Sequence, residues 1–552
     1  MTFPAKACSV LIVAVLLSAI AMPQSVPPAI FFTDLSSGPD SGGENGNGVY
    51  VTIYGNGFGA SQGSSTVSLN GSTSGLSVVS WGSPWRWYQK VVVQLLPSAS
   101  TGNLVVTVNG QSSNPIPFTV RSGNIYCIST TGNDSATGKF PTCWQNLTKV
   151  HGIASGDTVY VLNGVTRTAV DDYNSVLWLG DSGSGTPSAP NALIAYPGAT
   201  VTIGTGTSGY YSLRASSLHN PANYWVIAGL KLVSGSEAVE LSPSTDHWWF
   251  VGNDLSCPGG AGQAACFHAD TATYVYFHGN YVHNVGDQSG GIDKYYHGVY
   301  FTTNSVHVWA GWNEINNNPG GSTTQGGCRG IQFYSTGGND QYDLHVHDNL
   351  VHNTICDGIN FSTVNANSGV VEAYNNVVYH AGTGPDPGNG SSNYACFNFG
   401  SNGTTPVEVY NNSTYDCGAR LNSDSGMFSG GGPVRLRNNI TQTKSSESYI
   451  SSSSGLSLSG SNNIWYGSGN GPSATTGNIN QNPLYASVTT PDLHLQTTSP
   501  ARDAGVTISS LVTDIDGNTR PQGTSFDIGA YEYPAGGSLR PNPPTNLTVT
   551  VN

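Results

Sequence analysis

The sequence predicts an all-β chain built around a right-handed parallel β-helix solenoid, with a separate β-rich module in front of it. Three observations carry this. First, an asparagine phrase returns at Asn253, Asn280, Asn313, Asn349, Asn376, Asn412, Asn439 and Asn463, in steps of 27, 33, 36, 27, 36, 27 and 24 residues. A polar residue held at such a period marks stacked coils. Second, most copies follow a short alternating strand, such as Val306-His-Val308, Leu344-His-Val346, Val371-Glu-Ala373 or Val407-Glu-Val409, which turns one face inward and one outward. Third, 71 glycines and only 9% charged residues suit strands and tight turns and weigh against long helices. Asparagines at one bend of every coil are expected to bond their amides to one another and to adopt the left-handed conformation that bends require. Their role is structural.

A solenoid also accommodates the length. The 552 residues are too many for one ordinary core, whereas each coil of a repeat contacts only its neighbours. The net charge of −14, with 18 Lys and Arg, makes nucleic acid and anionic membranes poor partners.

In chain order, Lys6, the apolar run Val10 to Ile20 and Ala19-Ile-Ala21 read as an export signal over 1–21, too short to span a membrane. A secreted or surface-held monomer starting near Met22 is expected. Residues 28–121 form their own unit. Its strands Val49-Tyr-Val-Thr-Ile53 and Leu104-Val-Val-Thr-Val108 close on glycine turns, and Gly55-Asn-Gly57-Phe-Gly59 is its most distinctive phrase. The unit resembles the IPT/TIG group of immunoglobulin-like sandwiches, which implies a spacer or binding accessory. Trp81, Trp85, Trp87 and Tyr88 are read as packing in preference to a sugar platform.

The β-helix is placed at 124–533. Its closing block, from Asp492-Leu-His-Leu495 through Asp514-Ile-Asp-Gly-Asn518 to Phe526-Asp-Ile-Gly-Ala-Tyr-Glu-Tyr533, resembles the C-terminal cap of chondroitinase-B-like proteins. A cap would cover the unpaired edge of the last coil. Residues 534–552 read as a linker and the start of a truncated module. Without Cys8, eight cysteines remain, an even number that suits an oxidising compartment. Cys127 and Cys143 flank one loop, Cys257 and Cys266 another, Cys328 and Cys356 share a register one coil apart, and Cys396 and Cys417 are left as the last pair.

A second ladder lies upstream of the asparagines. In Ala238-Val-Glu240-Leu, Cys266-Phe-His268-Ala, Gly298-Val-Tyr300-Phe, Gly330-Ile-Gln332-Phe, Gly358-Ile-Asn360-Phe, Cys396-Phe-Asn398-Phe and Gly426-Met-Phe428-Ser, the flanking apolar residues point in and the middle one out. The result is an exposed strip of Glu240, His268, Tyr300, Gln332, Asn360, Asn398 and Phe428, suited to an extended glycan. Before three successive rungs stand His297, Arg329 and Asp357, and the insertion from Asn284 to Tyr296 brings Asp287, Asp293 and Lys294 to the same edge.

Two chemistries use these residue types. A lyase acting on a uronate takes Lys294 or His297 as base, Tyr300 or His297 as acid and Arg329 as carboxylate clamp. The resemblance to β-helix lyases implies Ca²⁺, with Asp287, Asp293 and Asp357 as oxygen ligands. A glycoside hydrolase takes two carboxylates from Glu240, Asp270, Asp293 and Asp357. The rival outside catalysis is a glycan-binding or adhesin-like scaffold. An extracellular polysaccharide is the expected partner in each case, with β-elimination placed first. His345 and His347, two residues apart on one strand, are read as an exposed face and not a metal pair.

Overall fold

The computed structural model describes residues 26–535 apart from 207–209, 217–221, 244, 260–264, 288–291, 294, 320–325, 339, 385–393, 419–424, 445–446 and 453–454. The side chains of Ile292, Asp293 and Ser425 are likewise not described. The expected export signal and the tail 536–552 lie outside these residues. Among the described residues no helix is long and apolar enough to cross a membrane.

The β-helix has three parallel sheets, visited in turn by each coil. Sheet I has 12 strands, running from Ile125–Ile128 to Ser457–Ser461. Sheet II has 11, from Thr166–Arg167 to Ile464–Tyr466. Sheet III has 10, from Ser175–Trp178 to Ser448–Ser452. Alternation places one set of side chains inside, where they form continuous columns. In sheet III, Phe301, Phe333, Phe361 and Phe399 stack face to face at 5.0, 5.3 and 5.8 Å.

The corner between sheets I and II carries the asparagine ladder. Each side chain from Asn253 to Asn439 donates through Nδ2 to Oδ1 of the next, at 2.9–3.2 Å. That oxygen also accepts the backbone N–H of the preceding rung. The second Nδ2 hydrogen goes to a strand carbonyl of the previous coil, as in Asn313 to Phe277 and Asn349 to Ala310. From Asn280 to Asn439 all four bonding positions of the amide are therefore used inside a dry corner. The left-handed conformation belongs instead to the residue before the ladder: Gly252, Gly279, Trp312, Asp348, Asn375, Asn411, Asn438 and Asn462. The ladder asparagine supplies bonds, and its predecessor supplies the bend.

The four cysteine pairs expected from the sequence are disulfides: Cys127–Cys143, Cys257–Cys266, Cys328–Cys356 and Cys396–Cys417. The last three sit at the corner between sheets II and III, where the longer insertions leave the coil.

The N-terminal module is a sandwich of two sheets. One holds Ala29–Thr33, Tyr50–Asn56, Tyr88–Leu95 and Leu76–Trp85, and the other centres on Ile116–Val120, Gly102–Val108 and Thr66–Leu69. It lies against the side of the β-helix. Trp85 Nε1 donates to Gly279 O, Tyr88 Oη donates to Trp312 O, and Phe31 stacks on Trp312. Arg86 grips Glu314 through Nε at 2.7 Å and Nη2 at 2.6 Å. All four aromatic residues at this tip thus have packing or bonding partners, Trp81 through its own bond to Phe58 O and Trp87 through edge-on contact with Tyr88.

The closing block also lies along this side. Asn375, Asn411, Asn438 and Asn462 donate to the carbonyls of Thr513, Asp527, Val506 and Ala504. The segment therefore runs back along the coils, whereas the sequence suggested a lid over the last one. The second residue of each Asn-Asn pair builds the ladder, and the first, freed by its left-handed turn, holds the returning chain. At its far end Gly517 reaches the sandwich, where a Cβ would come within 2.5 Å of Ala29 and 2.7 Å of Phe31.

Two predictions follow from these contacts. Asn349→Ala strands the N–H and amide of Asn313 and the carbonyl of Ala310, and is expected to cost about 3 kcal/mol. A urea-denaturation shift below about 1 kcal/mol would contradict the ladder's role. Within the returning segment, His494 sits between Asp492 and Asp516. Burial opposes its charge, yet Asp516 and Asp492 push it up to about 10. Its stabilisation is thus full below the ordinary imidazole range and is lost as pH rises through about 10. Hydrogen exchange over 492–533 should accelerate between neutral pH and pH 10 beyond its intrinsic increase, and His494→Gln should remove that excess.

Candidate functional site

Sheet III has its outer face away from the sandwich, and its register aligns one polar row. Trp178, Arg214, Glu240, His268, Tyr300, Gln332, Asn360, Asn398, Ser429 and Ser451 are successive partners. Two expectations change here. Phe428 is not a rung: a register irregularity between Ser425 and Phe428 turns it into the core beside Phe397, and Ser429 takes its place. The row is also less exposed than expected, because its members cover one another. Asn360 donates to Gln332 at 3.0 Å and is only 1% exposed. Asn398 donates to Ser429 Oγ, and Glu240 is paired with Arg214.

The centre of the row opens into a cleft of 340 Å³ lined by Tyr295, His297, Tyr300, Arg329, Gln332 and Asn360, with Tyr334 at its rim. Three adjacent coils supply it at equivalent positions. His297, Arg329 and Asp357 each precede a glycine, and the N–H groups of Gly298 and Gly330 donate to the carbonyls of Arg329 and Asp357. A Cβ on Gly298 would lie 2.7 Å from Gly330 O, and one on Gly330 2.5 Å from Gly358 O. Only glycine permits this close stacking. It leaves the preceding side chains free to converge.

They converge as a connected cluster. His268 stacks on Tyr300 at 5.5 Å, and His297 meets the Tyr300 ring edge-on at 5.4 Å. The Arg329 N–H donates to His297 Nδ1 at 3.4 Å, and Arg329 Nε donates to Asp357 Oδ2 at 3.0 Å. Asp357 is fully buried and also accepts the Ala395 N–H. It stands behind Arg329, which faces the cleft. The disulfide Cys328–Cys356 joins the residues immediately before this ion pair and fixes the two coils to each other.

Electrostatics separate the roles open to these groups. Burial, with Arg329 and His268 nearby, drives His297 well below the usual imidazole range, so it is neutral at physiological pH. Burial raises Tyr300, against hydrogen bonds to Thr302 and Gln332, so its hydroxyl keeps its proton. Burial also raises Asp357, although Arg329 and the Ala395 N–H pull it down. His268 is held above its ordinary value despite burial, by Glu237, Glu240 and Asp270. The cleft thus combines a neutral imidazole, a protonated phenol and a guanidinium.

The remaining candidates are dispersed or undescribed. Asp287 stands at the base of the insertion, where its carbonyl accepts the Gly326 N–H. Asp293 pairs through its backbone with Gly327, and Lys294 lies outside the described residues. Among the described residues no three His, Cys, Asp or Glu side chains converge as a metal site. His345 lies between Asp343 and Glu372 and stacks on Trp309, while His347 stacks on Tyr374. Sequence reasoning missed Arg214 and Tyr334, although alternation in Leu213-Arg-Ala215 and Gln332-Phe-Tyr334 marks both as outward-facing. For Tyr295, in the insertion, no periodic signal exists.

No family model matches this chain, and no curated protein is similar to it. The fold has counterparts among solved structures. One is the crystal structure of pectate lyase Pel9A, 13% identical, with a TM-score of 0.51 over 74% of this chain and 96% of that one. Another is the complex of XylC with xylose, 10% identical, with a TM-score of 0.46 over 74% and 98%. At 13% identity the likeness to the lyase is one of fold alone.

Asp357→Asn should cost about 3 kcal/mol, because Arg329 loses the charge that balances it in a covered position. Denaturant titration checks this. A variant as stable as the parent would show that the pair does not hold these coils.

Proposed function

We propose that this protein is a secreted carbohydrate-active enzyme that cleaves an extracellular polysaccharide by β-elimination in the sheet III cleft. The carrying observation is the convergence of His297, Tyr300 and Arg329 from neighbouring coils in one cleft. Arg329 binds a uronate carboxylate and, with Asp357 behind it, is held in place for that task. Neutral His297 removes the proton α to the carboxylate through Nδ1, releasing the long 3.4 Å bond it accepts from the Arg329 N–H, and protonated Tyr300 delivers one to the leaving oxygen. Gln332 and Asn360 contact hydroxyls of the flanking sugars. Four disulfides and the export-like first residues support secretion. The solved lyase of like fold is consistent with this chemistry. The sandwich is read as an IPT/TIG module.

Hydrolysis stands second. It requires two carboxylates across the scissile bond, whereas the described lining offers none: Asp357 is behind Arg329, and Glu240 is bound to Arg214.

The test is a depolymerisation screen over neutral and uronic polysaccharides, with calcium and with chelator because Asp287 and Asp293 offer hard oxygens. Unsaturated products, seen by ultraviolet absorbance, should rise together with reducing ends. Arg329→Ala and His297→Ala should each lower kcat/KM by about 100-fold or more. The acid limb of the pH profile should fall below the ordinary imidazole range, since the depressed His297 remains unprotonated there. Reducing ends without unsaturation would replace elimination by hydrolysis, and binding without any cleavage would leave the scaffold reading.

A further inference from the structure

Charge is unevenly distributed along the outer face of sheet III on either side of the cleft. Coils lie about 4.8 Å apart, close to the rise of one sugar in an extended glycan, so each coil meets about one sugar. A homopolyuronate would therefore bring a carboxylate to every coil, and each one facing the protein would need a cation.

Among the described residues, Arg329 is the one cation that lines the cleft. Toward the later coils the row continues as Asn360, Asn398, Ser429 and Ser451, which are amides and hydroxyls without charge. Toward the earlier coils the cations are already taken, His268 by Glu237 at 3.1 Å and Arg214 by Glu240. Asp270, two residues beyond His268 and the strand partner of Thr302, adds a further carboxylate there. One uronate is thus accommodated on Arg329. A second carboxylate would lie over neutral groups on one side of it and over acid on the other.

Tyr334 points separately to an uncharged neighbour. It stands at the rim, five residues beyond Arg329 on the same coil, and is 38% exposed. On sheet I the outward rings cover one another: Trp249, Tyr276, Trp309 and His345 stack at 5.1, 4.8 and 5.1 Å. Tyr334 instead has Thr302 as its partner on the preceding coil, and Ser362 lines the cleft beside it. Neither is large enough to cover a phenol ring, and among the described residues no other ring lies against it. The face of such a ring is electron-rich: it attracts the C–H face of a sugar and repels a carboxylate.

We propose that this groove selects a heteropolysaccharide, in which the uronate held by Arg329 is joined to neutral sugars, and that Tyr334 is a specificity-determining residue that stacks on a neutral one. The proposal rests on the reading of Arg329 as the uronate clamp.

The test measures binding apart from cleavage. The full chain carrying Tyr300→Phe keeps the ring and loses the proton donor, and calorimetry follows its binding of tetrasaccharides with calcium and with chelator. Alternating glucuronate–glucose and galacturonate–rhamnose tetramers are compared with tetragalacturonate, tetramannuronate and cellotetraose. At least one alternating tetramer should bind about tenfold or more tighter than any of the other three. Adding Tyr334→Ala, at an exposed position, should weaken that binding about tenfold, and Tyr334→Phe should retain it. The proposal is overturned if a homopolyuronate binds as tightly in either condition, if cellotetraose does, if no alternating tetramer binds, or if Tyr334→Ala leaves affinity intact. The β-elimination reading fails on a different result, the absence of unsaturated products from the parent protein, which leaves the binding preference standing.

Discussion

The asparagine column is the constraint from which the rest of the molecule follows. A stack of short parallel strands slips easily where its faces are flat, because neighbouring registers differ little in energy. Here each buried amide of the continuous column is saturated by the coils on either side. A shift by one residue would leave several donors and acceptors unpaired in a dry corner, at a cost of roughly 1–3 kcal/mol each. The corner between sheets I and II is therefore fixed. Variation is pushed to the opposite corner, where insertions leave the coil beside the strands of sheet III.

That division explains where chemistry is placed. The fixed corner sets the height of every strand, so Tyr300, Gln332 and Asn360 align although the connections between their coils differ in length. The glycines at 298, 330 and 358 draw the strand starts together. The residues just before them become neighbours across three coils without being close in sequence. A rigid ladder on one edge thus makes a site on another.

Much of this was legible in the sequence and some was not, for physical reasons. The asparagine spacing and the alternating strands identify the solenoid because both reflect backbone geometry repeated in every coil. The cysteine pairs were legible because two flanked loops, one shared a register one coil apart, and the last two cysteines were left over. The cleft was half legible: His297, Arg329 and Asp357 stand out by position, but their burial depends on Tyr295, Tyr334 and Ala395, which arrive from a loop, a strand end and a later coil. Phe428 failed because a single irregularity inverts alternation. The course of the closing block was hidden because a turn-rich segment carries no period that tells a lid from a strap. Its anchors, the first asparagines of the Asn-Asn pairs, looked like part of the ladder.

The strap has a consequence for how the chain is made. A solenoid can usually consolidate coil by coil as it emerges, each one resting on the last. In this chain the edge of the sandwich at Ala29 and Phe31 meets Gly517, a residue synthesised long after it. That edge, made early, therefore waits for a segment made much later. The structure closes as a loop fastened at both ends, and loses the open-ended growth of a simple repeat.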